Sequence, residues 1–366
     1  MILDWLASAL TVLAVVWTAL PLLRGDAWWI RMFEFPRIQV AVLTALVLAA
    51  CVALAGLSEP ADIVRAAVLL ACIALQLAWI VQYLPLYPNQ MKAARAGDPE
   101  DEIAILVANV LTPNRNAEGL LEIVRANDPD LLLTLESDAW WQERLDALDA
   151  DYPHSVKCPL DNTYGMHLYS RLALVDARLD YLVEEGVPSI HGWVVLRSGH
   201  RLRLHCVHPS PPSPTENPSA AERDGELLAV AKTVAGPDGR RGERSAIVAG
   251  DLNDVAWSAS TRLFQKVSGL LDPRIGRGTY ATFHAKYPFL RWPLDQIFAS
   301  GDFTLMTLRR LPYFGSDHFP ILVRFRHDPN ARDLHEEPEA DAADEELAEE
   351  KIEKVDAEEP PRAGSG

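Results

Sequence analysis

The chain has 366 residues, a formal net charge of −17, 49% hydrophobic residues and a mean hydropathy of zero. That apolar content excludes a fully disordered or collagen-like chain, and 4 cysteines in this length exclude a disulfide scaffold. A hydropathy of zero beside 51 acidic residues means that something strongly apolar offsets something strongly charged. The split follows the chain: residues 1–97 carry 5 acidic and 6 basic side chains, 98–328 carry 32 and 24, and 329–366 carry 14 and 4.

The first part holds three uncharged apolar runs, at 5–23, 38–57 and 66–86. Each has about the 20 residues that a helix needs to cross hydrocarbon. A signal peptide starts basic, whereas the first charge here is Asp4. The runs predict a membrane domain over 1–86 with about three spans, and the lipid bilayer as a partner through residues 5–86. Trp28, Trp29 and Arg31 between the first two runs suit the headgroup level. Arg24, Arg31 and Arg37 fall in the first loop, Glu59 and Asp62 in the second, and Lys92 and Arg95 follow the third run. The positive-inside rule then favours an outside N-terminus and a cytoplasmic side for the rest.

Residues 87–102 read as a linker, interrupted by Pro88, Gly97 and Pro99. Beyond it, apolar runs predict strands at 103–109, 131–135, 165–169, 173–174, 193–196, 201–208, 246–249, 294–299, 303–308 and 320–325. Helical spacing covers 116–127 and 219–234. Strands outnumber helices, which fall between them, so the class is α+β with sheets packed face to face and helices outside. The tail, 328–366, is rich in Glu, Asp, Ala and Pro and has no aromatic residue. It is expected to be disordered, with a transient helix near 342–355.

Polar residues stand where apolar strands end. Asn109, Glu136, His208, Asp251 and Asn253 each follow such a run. One carboxylate there is an ordinary turn residue; five metal- or proton-competent groups point to a shared cleft. Asp295 lies between apolar neighbours, which is costly unless it is paired. Asp317 and His318 are adjacent, so in a strand they face opposite ways. His154, His191, His200 and His284 read as loop or surface residues, and His167 and His205 as core. Arg171 reads as support near the cleft, and Arg240, Arg241 and Arg244 as a local basic patch.

In these blocks the chain resembles the endonuclease/exonuclease/phosphatase superfamily, the deoxyribonuclease-like metal phosphoesterases. The resemblance covers about residues 103–326. It rests on Asn109, Leu135-Glu136, Gly165 through Tyr169-Ser170-Arg171, and His208-Pro209. It continues through Gly250-Asp251-Leu252-Asn253, Leu294-Asp295-Gln296-Ile297-Phe298 and Ser316-Asp317-His318-Phe319-Pro320. Gly-Asp-x-Asn followed by Ser-Asp-His-x-Pro is the specific pair. The similarity extends to bacterial membrane-anchored members, which implies the bacterial inner membrane as location.

The resemblance implies a four-layer α/β sandwich over 103–327, with two mixed sheets inside and helices outside. It implies metal-assisted hydrolysis of a phosphodiester or phosphomonoester, with Mg²⁺ or Mn²⁺ as cofactor. Glu136 is the implied metal ligand, with Asn109 and Asp317 beside it. Asp251 and Asn253 would orient water and hold a phosphate oxygen. Asp295 would buttress His318, and His208 would contact phosphate or the leaving oxygen. The substrate stays open between nucleic acid and a lipid headgroup of the phospholipid or sphingomyelin type, because loops choose it. A non-catalytic membrane-tethered binding module on the same fold is the alternative of another class. The presence of Glu136, Asp251 and His318 argues against it.

Overall fold

The computed structural model describes residues 2–23, 25–236 and 245–358. The expected basic patch at Arg240, Arg241 and Arg244 lies outside them. Helix α1 (Ile2–Ala19), the single turn α2 (Trp28–Arg31), α3 (Arg37–Ala55) and α4 (Pro60–Ile80) come first. Three stretches are long and apolar enough to cross a membrane: Asp4–Leu23, Arg37–Ala55 and Pro60–Tyr83. The third begins earlier than its uncharged run, and its two charged residues there, Asp62 and Arg65, pair within the helix at 3.0 Å.

Two sheets follow. The first has the order β10-β11-β1-β2-β4-β3 and the second β5-β6-β7-β8-β9. In the first sheet, β1 (Glu102–Asn109), β2 (Leu131–Leu135), β3 (His154–Cys158) and β4 (Met166–Ser170) are joined by β10 (Phe303–Arg310) and β11 (Ile321–His327). The second contains β5 (Ala173–Asp180), β6 (Ser189–Val195), β7 (Arg201–Val207), β8 (Ala246–Asp251) and β9 (Asp295–Ala299). Only β1–β2 and β7–β8 are parallel; the other pairs are antiparallel, so both sheets are mixed.

The central strands are apolar on both faces because both faces are covered. Ile103, Ile105 and Val107 of β1 meet Ile247 and Ala249 of β8 between the sheets. Leu106 and Ala108 face outward under α5 (Ala117–Asn127) and α6 (Ala139–Leu145). Val248 faces outward under α7 (Ala221–Ala235) and α8 (Ala259–Ser268). The four-layer α/β sandwich expected from the sequence is present. Helix starts are set locally: the Asn116 side chain accepts from Gly119 N, and Ser258 accepts from Thr261 N.

Two segments differ from expectation. The linker is not loose: Met91 is fully buried in the central core, and Ala94 N donates to Leu305 O beside β10. Residues 328–358, expected as a disordered tail with a transient helix near 342–355, carry the helix α9 (Ala342–Glu358), which is packed on the sandwich. Its few apolar side chains are placed for contact: Ala348 and Val355 are buried against the α7 side. Its acids meet lysines, with Lys232 at 2.5 Å from Glu345 and Lys266 at 2.8 Å from Asp344. Gly225 allows the approach, since a Cβ there would stand 2.7 Å from Val355 Cγ2.

The apolar helices dock on the sandwich. Arg31 bonds Asp224 at 3.0 Å, Trp257 Nε1 donates to Glu34 O at 2.8 Å, and Tyr83 OH donates to Ala256 O at 2.7 Å. The first inter-helix loop and the end of the third apolar helix therefore lie together against the sandwich. Arg31 and Arg37 are buried, Arg37 against Gln76.

Helix α7 also buries Glu226, whose Oε1 has no hydrogen-bond partner. Burial, with Glu184 nearby, pushes its carboxyl up to about 8. An acid whose folded pKa is raised binds more protons folded than unfolded, so stability declines as pH rises from the unfolded value toward 8. Glu226→Gln is expected to raise the melting temperature at pH 8 by about a few degrees and to change it less at pH 5. Equal shifts at the two pH values would refute the assignment.

Candidate active site

Strand direction gathers the site. Asn109 ends β1, Glu136 follows β2, His208 follows β7 and Asp251 ends β8. The antiparallel β9 starts at this edge with Asp295, in register with Asp251, and His318 stands just before β11. Carboxyl ends of parallel strands are the usual place for ligands in such sheets. Two of the turns need unusual backbone. Glu136 has φ 57° and Asn253 has φ 49°, a left-handed conformation uncommon for non-glycine residues. A Cβ on Gly250 would lie 1.8 Å from Val207 O, so only glycine lets β8 approach β7 there.

The hydrogen bonds join most of the expected residues into one cluster. His318 Nδ1 meets Asp295 Oδ2 at 2.7 Å and lies 3.6 Å from Asp251 Oδ2. Asn109 Nδ2 donates to Glu136 Oε1 at 2.8 Å and to Asp251 Oδ2 at 3.1 Å. Its amide oxygen accepts from Leu111 N, so Asn109 turns its N–H groups, not its oxygen, toward the carboxylates. Asp251 Oδ1 accepts from Asn253 N, and Asn253 Nδ2 donates to Pro209 O at 2.9 Å. Asp317 is partly exposed at the same edge, and its backbone oxygen accepts from Ala285 N. His208 is buried beside the Tyr164 ring, with Nδ1 unpartnered.

Burial and neighbours set the charges. Burial pushes the Glu136 carboxyl up to about 7; the Asn109 amide and His318 oppose this, and Asp251 and Asp317 add to it. Burial disfavours the His318 imidazolium, but Asp295 and Asp251 outweigh it and push the ring up to about 10. Burial lowers His208 below the usual histidine value, with Asp251 opposing and His318 assisting.

The donor chemistry fits a hard divalent cation. Glu136, Asp251 and Asp317 offer carboxylate oxygens at one edge, and their mutual repulsion adds to the burial that raises Glu136. Oxygen-rich sets of this kind suit Mg²⁺, Mn²⁺ or Ca²⁺. Asp251, Asp295 and His318 also bring one ligand atom each within 4.8 Å of one another, but Asp295 and His318 spend theirs on each other. His200, Asp302 and His327 form a second such group at the opposite ends of the strands. There Asp302 is already bonded by Ser300 at 2.5 Å and Arg332 at 3.2 Å, and Ser245 donates to it as well.

Several supporting residues were not expected. Arg223 Nη1 donates to Asn253 O at 3.0 Å from inside α7. Ser316 Oγ donates to Asn109 O and accepts from His318 N, tying the two motifs together. Thr282 Oγ1 accepts from Asp295 N, and the Phe283 ring lies 4.9 Å from that of His318. His191, expected as a loop or surface residue, is buried in β6 with Nδ1 2.7 Å from His205 Nδ1. Arg171 pairs with Asp128 beside Tyr152, at the end of β4 away from the cleft.

The model of the endonuclease/exonuclease/phosphatase family matches residues 106–318. Among solved structures, the endonuclease/exonuclease/phosphatase of Beutenbergia cavernae is similar at a TM-score of 0.50 and 18% identity, over 62% of this chain and 72% of its own. The human Nocturnin catalytic domain, solved with a bound sulfate anion, is similar at a TM-score of 0.50 and 16% identity, over 64% and 100%. A functionally unknown conserved protein of Enterococcus faecalis is similar at 0.50 and 16%, over 62% and 100%. Comparison with curated protein sequences finds no match. At such identities the structural likeness concerns the fold alone. The family model, spanning more than half of the chain and every residue of the cluster, makes this protein a member of the endonuclease/exonuclease/phosphatase family.

Proposed function

We propose that the protein is a membrane-anchored, divalent-cation-dependent phosphoesterase that hydrolyses a phosphodiester or phosphomonoester. The observation that carries this reading is the buried Asp295–His318 pair, 2.7 Å apart, set beside Asp251 and an oxygen-rich carboxylate edge. A phosphate ester resists attack because its oxygens repel the nucleophile. Glu136 and Asp317 would hold Mg²⁺ or Mn²⁺, whose charge offsets those oxygens and polarises the phosphoryl group, while Asn109, expected as a ligand beside them, steadies Glu136 through an N–H group instead.

The protein groups supply orientation and proton transfer. Asp251 is pinned through both oxygens, by Asn253 N and by Asn109 Nδ2, so it presents a fixed acceptor to an attacking water. Asn253 keeps one amide N–H beyond its bond to Pro209 O, suited to a phosphate oxygen. Asp295 fixes the tautomer and tilt of His318, leaving Nε2 as the ring nitrogen for chemistry. His208 is the second imidazole. Between them the two rings cover removal of a proton from water and its delivery to the leaving oxygen. The intact cluster supports this reading over a non-catalytic tethered module, and the three apolar helices support attachment to a bilayer.

The test is turnover of bis-p-nitrophenyl phosphate, plasmid DNA and phospholipid vesicles by the full chain with and without Mg²⁺. Asp251→Ala and His318→Ala are each expected to lower the rate by about 10²-fold or more. Undiminished activity in both would overturn the site. Glu136→Gln is expected to abolish the rise in melting temperature that Mg²⁺ gives the wild type. A rise of the same size in the variant would remove Glu136 as a ligand.

A further inference from the structure

The segment 282–292 joins the catalytic cluster to the edge of the apolar helices. Its two limbs pair: Phe283 N donates to Trp292 O at 3.0 Å and His284 N to Leu290 O at 2.9 Å. Its base belongs to the cleft. Phe283 stands against His318, Thr282 accepts from Asp295 N, and Ala285 N donates to Asp317 O at 2.6 Å. Its tip is apolar and uncovered, with Phe289 85% exposed, Tyr287 56% and Leu290 49%.

The position of that tip is fixed by Gln39, whose Nε2 donates to Phe289 O at 2.9 Å. The Phe35 and Trp292 rings pack at 5.8 Å just beside it. Gln39 is the third residue of α3, which has 19 residues. At about 1.5 Å per residue such a helix spans about 28 Å, close to the hydrocarbon thickness itself. Gln39 therefore lies at the hydrocarbon boundary on the side of the catalytic fold, and Phe289 lies at the same depth. Aromatic and aliphatic side chains held there, flanked by Lys286 and Arg291, have the composition of an interfacial anchor. From Phe289 to Ala285 the chain covers at most about 14 Å. The headgroup layer, about 5–7 Å deep on each side, falls within that interval.

We propose that the tip of the 282–292 segment enters the bilayer interface through Tyr287, Phe289 and Leu290, and that the cleft at its base takes the phosphate ester of a membrane-resident lipid. This rests on the phosphoesterase reading above and names its substrate class. In the reaction the oxygen of water bonds to phosphorus, and the bond from phosphorus to the departing alcohol oxygen breaks. One proton of the water ends on that alcohol and the other leaves to solvent. The substrate is reached from the membrane plane, and the segment sets the height of the cleft above it.

The experiment uses the full chain reconstituted in phosphatidylcholine–phosphatidylglycerol vesicles. An environment-sensitive fluorophore on Phe289→Cys reports depth, with identically treated wild type as the blank. Its emission is expected to shift to the blue and to resist quenching by aqueous iodide. A triple variant, Tyr287→Ser, Phe289→Ser and Leu290→Ser, changes exposed positions only. Its turnover of vesicle phospholipid is expected to fall about tenfold or more, while turnover of soluble bis-p-nitrophenyl phosphate stays within about twofold. A fluorophore fully open to iodide, a variant with undiminished lipid turnover, or hydrolysis of plasmid DNA with vesicle lipids untouched would each overturn the proposal. Failure of the wild type on the soluble ester would instead remove the phosphoesterase reading, and the fluorophore depth would still decide where the tip lies.

Discussion

The carboxylate of Asp224 is where the parts of this molecule meet. It is fully buried and accepts from Arg31 of the first inter-helix loop, Arg223 of α7, Ser260 of α8 and Lys351 of α9. Burial alone would neutralise such a group, but Arg223, Arg31 and Lys351 hold it well below the usual carboxylate range. Buried ions survive only with partners, and removing one partner commonly costs about 3–5 kcal/mol. Here the partners come from four segments far apart in sequence. One of them, Arg223, also holds the carbonyl of Asn253, two residues past Asp251. The packing of the apolar helices, the tail and the turn after β8 thus share one electrostatic centre.

The same geometry explains why the site is compact. Parallel pairs deliver Asn109, Glu136, His208 and Asp251 at strand ends, and antiparallel neighbours deliver Asp295 and His318 at strand starts. The left-handed turns at Glu136 and Asn253 then aim side chains inward at a conformational cost that the surrounding bonds must hold. Asn109 is the bridge, touching both Glu136 and Asp251 with one amide nitrogen.

Much of this was legible in the sequence, for a physical reason. Strands buried on both faces read as unbroken apolar runs, and β1, β2 and β8 stand out in that way. Strand β3, His154–Cys158, went unread, and β5 extends to Asp180, well past the residues expected, because each is half-exposed and polar. The candidate site was legible because five metal- or proton-competent groups at the ends of apolar runs are more than turns alone account for. Arg223 and Tyr164 were not, and Ser316 was legible as a motif residue but not its bonds to Asn109 O and His318 N, since these roles depend on partners brought near only by folding. In the tail the helix near 342–355 was legible but its docking was not: Ala348 and Val355 are few, and α9 adds lysine–carboxylate pairs that no hydrophobicity count registers.

The first inter-helix loop holds half of the basic residues in 1–97, and two of them, Arg31 and Arg37, are buried in the folded chain. Arg31 is neutralised by Asp224, Asp26 and Glu34, and Arg37 is enclosed against Gln76 and the Trp79 ring. Charges that bias orientation in a nascent segment act before folding; afterwards Arg31 is a counterion inside the protein and Arg37 is buried against neutral groups. Arg31 and Arg37 therefore have scant charge left to attract an anionic surface, and what the first two apolar helices offer a bilayer at this loop is apolar area rather than these two cations.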